Sequence, residues 1–200
     1  MSAHTALQEI SALPALTAEQ QHELLQLART AIQHFLETGE VLVVETADPV
    51  LQTLAGVFVT LRTRDDVSAP KNTRLRGCIG HMEADWPLAQ VVAAMAVKAA
   101  TRDPRFPPVV PAELDHIAIE ISVLSPLQPL EDVTKIELGR HGLFISKGRH
   151  RGLLLPQVPI MFGWTPEEFL ENLCRKAGLP PNAWHEAQLW WFETAVFEEE

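Results

Sequence analysis

Apolar positions recur along this chain at two spacings, and the switches between them mark out the elements. Over residues 17–38, Leu24, Leu27, Ala28, Ala31, Phe35 and Leu36 recur at helical spacing and Gly39 follows as a stop, which predicts an amphipathic helix. Residues 41–44 (VLVV) form a short apolar run that reads as a strand or the approach to one. Residues 56–63 (GVFVTLRT) alternate, with Val57, Val59 and Leu61 on one face. Loop chemistry follows at 65–72, and 74–81 (RLRGCIGH) reads as a strand interrupted by glycine. Pro87 opens an alanine-rich helix to about Ala100, striped by Leu88, Val91, Val92, Met95 and Ala99. Proline suits the first helical position because its missing N–H would have no partner there. Residues 116–124 alternate as a strand, and 142–146 with 152–155 make a strand pair. Thr165 and Glu168 form a capping box for a helix that runs to Ala177 and stops at Gly178. Residues 189–197 read as a final strand.

The order of elements repeats. GVFVTL from Gly56 matches GLFISK from Gly142, and RGCIG from Arg76 matches RGLLL from Arg151. Trp86-Pro87 and Trp164-Thr-Pro166 then open the two helices. IEISVL from Ile119 matches FETAVF from Phe192, which sets Glu120 opposite Glu193. The expected fold is α+β: an internally duplicated strand–strand–helix–strand unit whose halves share one curved, mainly antiparallel sheet flanked by helices. The expected organisation is a single domain over 1–200, with an N-terminal helical region at 1–40 and two intertwined repeat halves at 41–125 and 140–198. No Gly/Ser-rich or charge-rich linker divides the halves.

Composition narrows the class. At 200 residues, 46% apolar and 21% charged, the chain has the make-up of a globular domain able to bury its own core. A net charge of −10 argues against a nucleic-acid coat or a binder of anionic membranes. Residues 1–10 have neither a basic nor an apolar leader region and no apolar run reaches a membrane span, so a cytoplasmic protein is expected. Cys78 and Cys174 form no C-x-x-C pair, and the histidines do not fall at metal-ligand spacing. No Walker loop, G-x-S-x-G or H-E-x-x-H occurs either, so neither metal nor cofactor is expected. The acidic excess is uneven. Residues 67–82 and 138–166 contain no Asp or Glu, yet hold seven of the sixteen Lys and Arg residues: Lys71, Arg74, Arg76, Arg140, Lys147, Arg149 and Arg151. That pattern fits a local site for a small anionic ligand or an acidic partner face, and equally a pair of solvated basic hairpins.

LRGCIG, residues 75–80, is the most unusual segment. Glycine on both sides of a cysteine marks a bulge or a close backbone approach. With a period of two, Arg76 and Cys78 share a face, and a guanidinium beside the thiol would favour the thiolate, so Cys78 is a candidate nucleophile. A buried small hydrophobe is the competing reading. Cys174 shares the stripe of Phe169, Leu170 and Leu173 and reads as core. DPRFPP, residues 103–108, is a loop stiffened by proline. It could hold Arg105 and Phe106 as an anion clamp with an aromatic wall, or use Asp103 for local amides and Phe106 as a core anchor. Glu120 lies on the second face of its strand, and if covered it needs a partner, with Arg76 or Arg105 as candidates. His141 is expected in a turn. Gln157, between Pro156 and Pro159, could read a ligand's amide or cap backbone.

These segments resemble the AMMECR family, also called AmmeMemoRadiSam system protein A. The resemblance rests on LRGCIG together with DPRFPP, IEISVLSP from Ile119, GRHGLFI from Gly139, GLLLPQV from Gly152 and CRKAGLP from Cys174, and it covers the chain from about Ala31 onward. It implies a duplicated α+β domain, encoded beside or fused to a Memo-like protein of the extradiol-dioxygenase type and a radical S-adenosylmethionine protein. It assigns no settled reaction. The matched positions imply a pocket of Arg76, Cys78, Asp103, Arg105, Glu120, His141 and Gln157. The family pattern places an acidic residue before the Gly163-Trp164 pair, where this chain has PIMF at 159–162.

Two functions remain open at this level. One is an enzyme or enzyme component acting on a small anionic organic substrate, with Cys78 as nucleophile, Glu120 as acid/base, and Arg76, Asp103, Arg105, His141 and Gln157 binding the ligand. The other is a non-catalytic module that docks onto the Memo-like and radical S-adenosylmethionine proteins.

Overall fold

The computed structural model describes residues 13–64 and 73–199. The loop expected at 65–72, with Lys71, and the first part of the expected N-terminal helical region lie outside the described residues. The chain runs through α1 (Ala18–Thr38), β1 (Gly56–Arg64), β2 (Thr73–His81), α2 (Leu88–Thr101), β3 (Ile117–Leu124) and β4 (Gln128–Pro129). It continues through β5 (Gly142–Lys147), β6 (His150–Leu154), α3 (Gln157–Phe162), α4 (Pro166–Lys176), β7 (Gln188–Phe192) and β8 (Thr194–Glu198).

Helix starts follow the local chemistry. Thr17 accepts the Gln20 amide while the Gln20 side chain takes the Thr17 amide, and Thr165 and Glu168 do the same for α4. Pro87 is not the first helical residue as expected. It is the N-cap of α2, extended at ψ 137, and the helix begins at Leu88. That helix is buried on nearly every side, Leu88, Val91, Val92, Met95 and Ala96 among its covered residues, because α1 packs on one side of it and β1 and β2 on another.

The architecture is α+β, but the single shared sheet is two separate antiparallel sheets, ordered β2-β1-β3-β8 and β4-β7-β5-β6. The described residues of Pro14–Leu124, joined by 195–199, form one compact unit, and Ser125–Thr194 forms another. In the first, Val57, Val59 and Leu61 of β1 are fully buried in a core with α2, and Leu24, Ala28 and Ile32 of α1 complete it. In the second, α4 lays Phe169, Leu170, Leu173 and Cys174 against Leu143 and Ile145 of β5. Cys174 is therefore core, and burial raises its thiol pKa.

Two further expectations fail for identifiable reasons. Residues 41–44 pair with no strand among the described residues. Leu42 and Val44 turn inward to Ala31, Ala93 and Val97, so side-chain packing takes the place of a ladder. The final strand breaks at Glu193, giving β7 and β8 to different sheets. There the Glu193 amide donates to Ser125 Oγ at 2.9 Å, and the Ser125 amide donates to the Glu193 carbonyl at 2.9 Å, so its backbone is spent on Ser125. Register also corrects the internal match. Gly56 pairs with Leu124 and Gly142 with Phe192, so at equal offsets Glu120 lies opposite Thr60 and Gln188, not Glu193, lies opposite Ser146.

Candidate functional site

The LRGCIG strand is shaped by what packs on it. A Cβ on Gly77 would overlap the Ala99 carbonyl oxygen, so glycine is what lets the last turns of α2 lie against β2. A Cβ on Gly80 would overlap the Phe58 ring. Both glycines thus serve close packing. The expected alternation of Arg76 with Cys78 does not hold, because the register shifts between Leu61, opposite Gly77, and Arg62, opposite Leu75. Arg76 is the extra residue of that bulge. Its guanidinium meets Glu113 at 2.9 and 3.0 Å and donates to the Pro107 carbonyl at 2.9 Å. The Arg76 guanidinium is the largest influence holding Glu113 below the usual carboxylate range.

Cys78 is half-buried and keeps a different set of neighbours. Thr60 lies opposite it, with its hydroxyl donating to Sγ at 3.4 Å. The Cys78 amide donates to Asp103 Oδ2 at 2.8 Å, and Arg105 Nη2 reaches the Cys78 carbonyl at 3.5 Å. Cys78 sits on an edge strand, and the Asp103–Arg105 pair supplies the acceptor and donor that a further strand would have supplied. Asp103 is buried, and its Oδ1 and Oδ2 accept from Arg105 Nε and Nη2 at 2.9 and 2.7 Å. Arg105 first, then the amides of Cys78 and Arg105, hold its carboxyl well below the usual range against the opposing effect of burial. The Arg105 side chain remains 52% exposed, with its guanidinium carbon 5.5 Å from the Phe106 ring centroid. Asp103 therefore satisfies local amides, as one reading required, and also fixes Arg105 beside Cys78.

Glu120 belongs to the same transverse row, since Cys78, Thr60 and Glu120 pair in sequence across β2, β1 and β3. Its partner is neither Arg76 nor Arg105 but Arg62, at 3.4 Å. Ser122, two residues along, is buried with its hydroxyl lacking a hydrogen-bond partner among the described residues. Thr60, Arg62 and Glu113 were not singled out from sequence. The alternation of polar Thr60 and Arg62 with Val59 and Leu61 marked the first two, whereas Glu113 has no local signal.

His141 and Gln157 lie in the second unit. His141 is buried just past a turn, its Nδ1 accepting the Glu137 amide at 3.2 Å and its ring 4.5 Å from that of Trp191. Burial lowers its pKa. With Trp191 and Arg140 it lines a cleft of about 580 Å³. Gln157 opens α3. Among the described residues no three His, Cys, Asp or Glu side chains gather as metal ligands would, and no helix is long and apolar enough to cross a membrane.

Comparison with known proteins places this arrangement. The AMMECR1 family model matches residues 25–197. "Protein MK0488" of Methanopyrus kandleri is 45% identical over 194 residues, covering 92% of this chain and 91% of its own. "Protein MJ0810" of Methanocaldococcus jannaschii is 43% identical over 192 residues, with 92% of each chain covered. The crystal structure of PH0010 from Pyrococcus horikoshii superimposes with a TM-score of 0.85 at 41% identity, covering 92% of this chain and 94% of that one.

Proposed function

This chain belongs to the AMMECR1 family, and we propose that it is an enzyme or enzyme component acting on a small anionic organic substrate at Cys78. The observation that carries the reading is the half-exposed Arg105 guanidinium, locked by buried Asp103 beside a half-buried thiol. Arg105 spends one edge on Asp103 and keeps charge for a substrate carboxylate or phosphate. Cys78 is the nucleophile toward an electrophilic carbon, and Asp103 is a positioning residue. Glu120, in the same row, is the group available for proton transfer. Arg76, bound to Glu113 and Pro107, keeps the bulge and contributes no ligand contact in this reading. His141 and Gln157 take no part in it. The matching orders β2-β1-β3 in one sheet and β6-β5-β7 in the other support treating the chain as one domain of two repeat halves.

Charge-selective alkylation tests the site. Cys78 should react faster with iodoacetate, relative to iodoacetamide, than a model thiol does, and Arg105→Met should lower that ratio severalfold while Cys174 stays unreactive in the folded protein. A Cys78 that reacts no faster than a model thiol below about pH 8 removes the nucleophile.

A second reading, docking onto Memo-like and radical S-adenosylmethionine proteins, is favoured by α3, which leaves Ile160, Met161 and Phe162 59%, 72% and 65% exposed. Co-purification with those proteins, lost on charge reversal at Arg149 and Arg151 but kept in Cys78→Ala, would select docking over catalysis.

A further inference from the structure

The first unit holds a second cleft, of about 540 Å³, that contains none of the residues around Cys78. One wall is the unpaired segment 41–44 and the other is a face of α2. That face is Gln90, Ala93, Ala94, Val97 and Lys98, the i, i+3, i+4, i+7, i+8 stripe of a helix. Ala93 and Val97 lie buried under Leu42 and Val44 and form the closed floor, whereas the small side chain of Ala94 stays part-exposed beside them. The opposite wall presents Val41 and Val43 at 63% and 82% exposure, apolar surface that the fold leaves uncovered.

Polar groups stand at defined points of this apolar cleft. Lys98 lies with its Nζ 5.8 Å from the Trp86 ring centroid and makes no ion pair among the described residues. Gln90 lies two turns away at the other end of the stripe. A cleft of this size with an apolar lining and a few placed polar groups has the character of a small-molecule site. We propose that it binds a medium-chain aliphatic carboxylate, its hydrocarbon tail over part-exposed Ala94 between Trp86 and the exposed Val41 and Val43, and its carboxylate on the Lys98 ammonium. From Gln90 to Lys98 the helix rises about 12 Å, the length of an extended chain of about ten carbons. Charge complementarity favours the anion: Lys98 makes no ion pair among the described residues, so a carboxylate gains a charge-assisted contact that an uncharged head group does not.

Titration calorimetry with decanoate, below its micelle concentration, tests the site, with decanol as the uncharged probe. Decanoate should bind one to one and more tightly than decanol. Lys98→Met should weaken decanoate by about fivefold while leaving decanol unchanged. Val43→Asp, at a position too exposed to threaten folding, should weaken decanoate more than decanol. The absence of saturable decanoate binding, or equal binding by the native chain and both variants, overturns the proposal. So does a native dimer that Val43→Asp turns into a monomer, because the cleft would then be filled by a second copy.

Discussion

At the scale of single residues, the decisive feature is how few charges near Cys78 remain uncommitted. Arg76 is matched by Glu113, Glu120 by Arg62 and Asp103 by Arg105, so contact neutralises the Arg76 charge of the acid-free stretch at 67–82, while the Arg105 guanidinium stays half exposed. Asp103 carries the clearest consequence. Its folded-state pKa is depressed, so the stability it confers is complete above its unfolded value of about 3.9 and is lost as pH falls through the lower folded value. Asp103→Asn should therefore cost about 1–3 kcal/mol near neutral pH, a range that allows for the exposure of Arg105. The gap between variant and native protein should close as the pH of urea melts is taken below about 4. A gap that stays constant into acid would assign the loss to something other than the Asp103 charge. Of the seven positions that the resemblance grouped as a pocket, Cys78, Asp103 and Arg105 do meet. What could not be read was Arg76, because a bulge breaks the period on which face assignments rest.

At the scale of elements, periodic segments with chemical stops were legible and segments whose fate depends on a distant partner were not. The helix at 17–38 has its Thr17 cap, and Val57, Val59 and Leu61 all face the core. Residues 41–44 and 188–198 have equally good strand composition, yet one pairs with no strand among the described residues and the other divides between two sheets. The division depends on Ser125, far away in sequence, holding both backbone groups of Glu193. Ser125→Ala leaves the Glu193 amide without its acceptor and should destabilise by about 1–2 kcal/mol in equilibrium denaturation. Faster hydrogen exchange at Glu193 should accompany the loss. Unchanged exchange there would mean that another contact sets the break.

At the scale of the whole molecule, the described residues build two large hydrophobic cores, each with a four-stranded sheet, and a smaller cluster of Ala31, Ala93 and Val97. Leu173 is fully buried in the second, so Leu173→Ala should cost about 2–5 kcal/mol by urea melt, and a loss under about 1 kcal/mol would show that this core closes over the gap. The sequence by itself determined the α+β class, the family, the capped helices and the inward face of β1, because hydrophobic period, caps and short motifs are local properties of the chain. The family resemblance put forward seven pocket positions without saying which of them meet. Only tertiary structure decided that there are two sheets, that Glu113 and Arg62 are the partners of Arg76 and Glu120, and that 41–44 forms the wall of a cleft. The physical reason is the same in each case. A strand's edge, an ion's partner and a cleft's opposite wall come from residues tens of positions away, and no local period encodes which of them arrives.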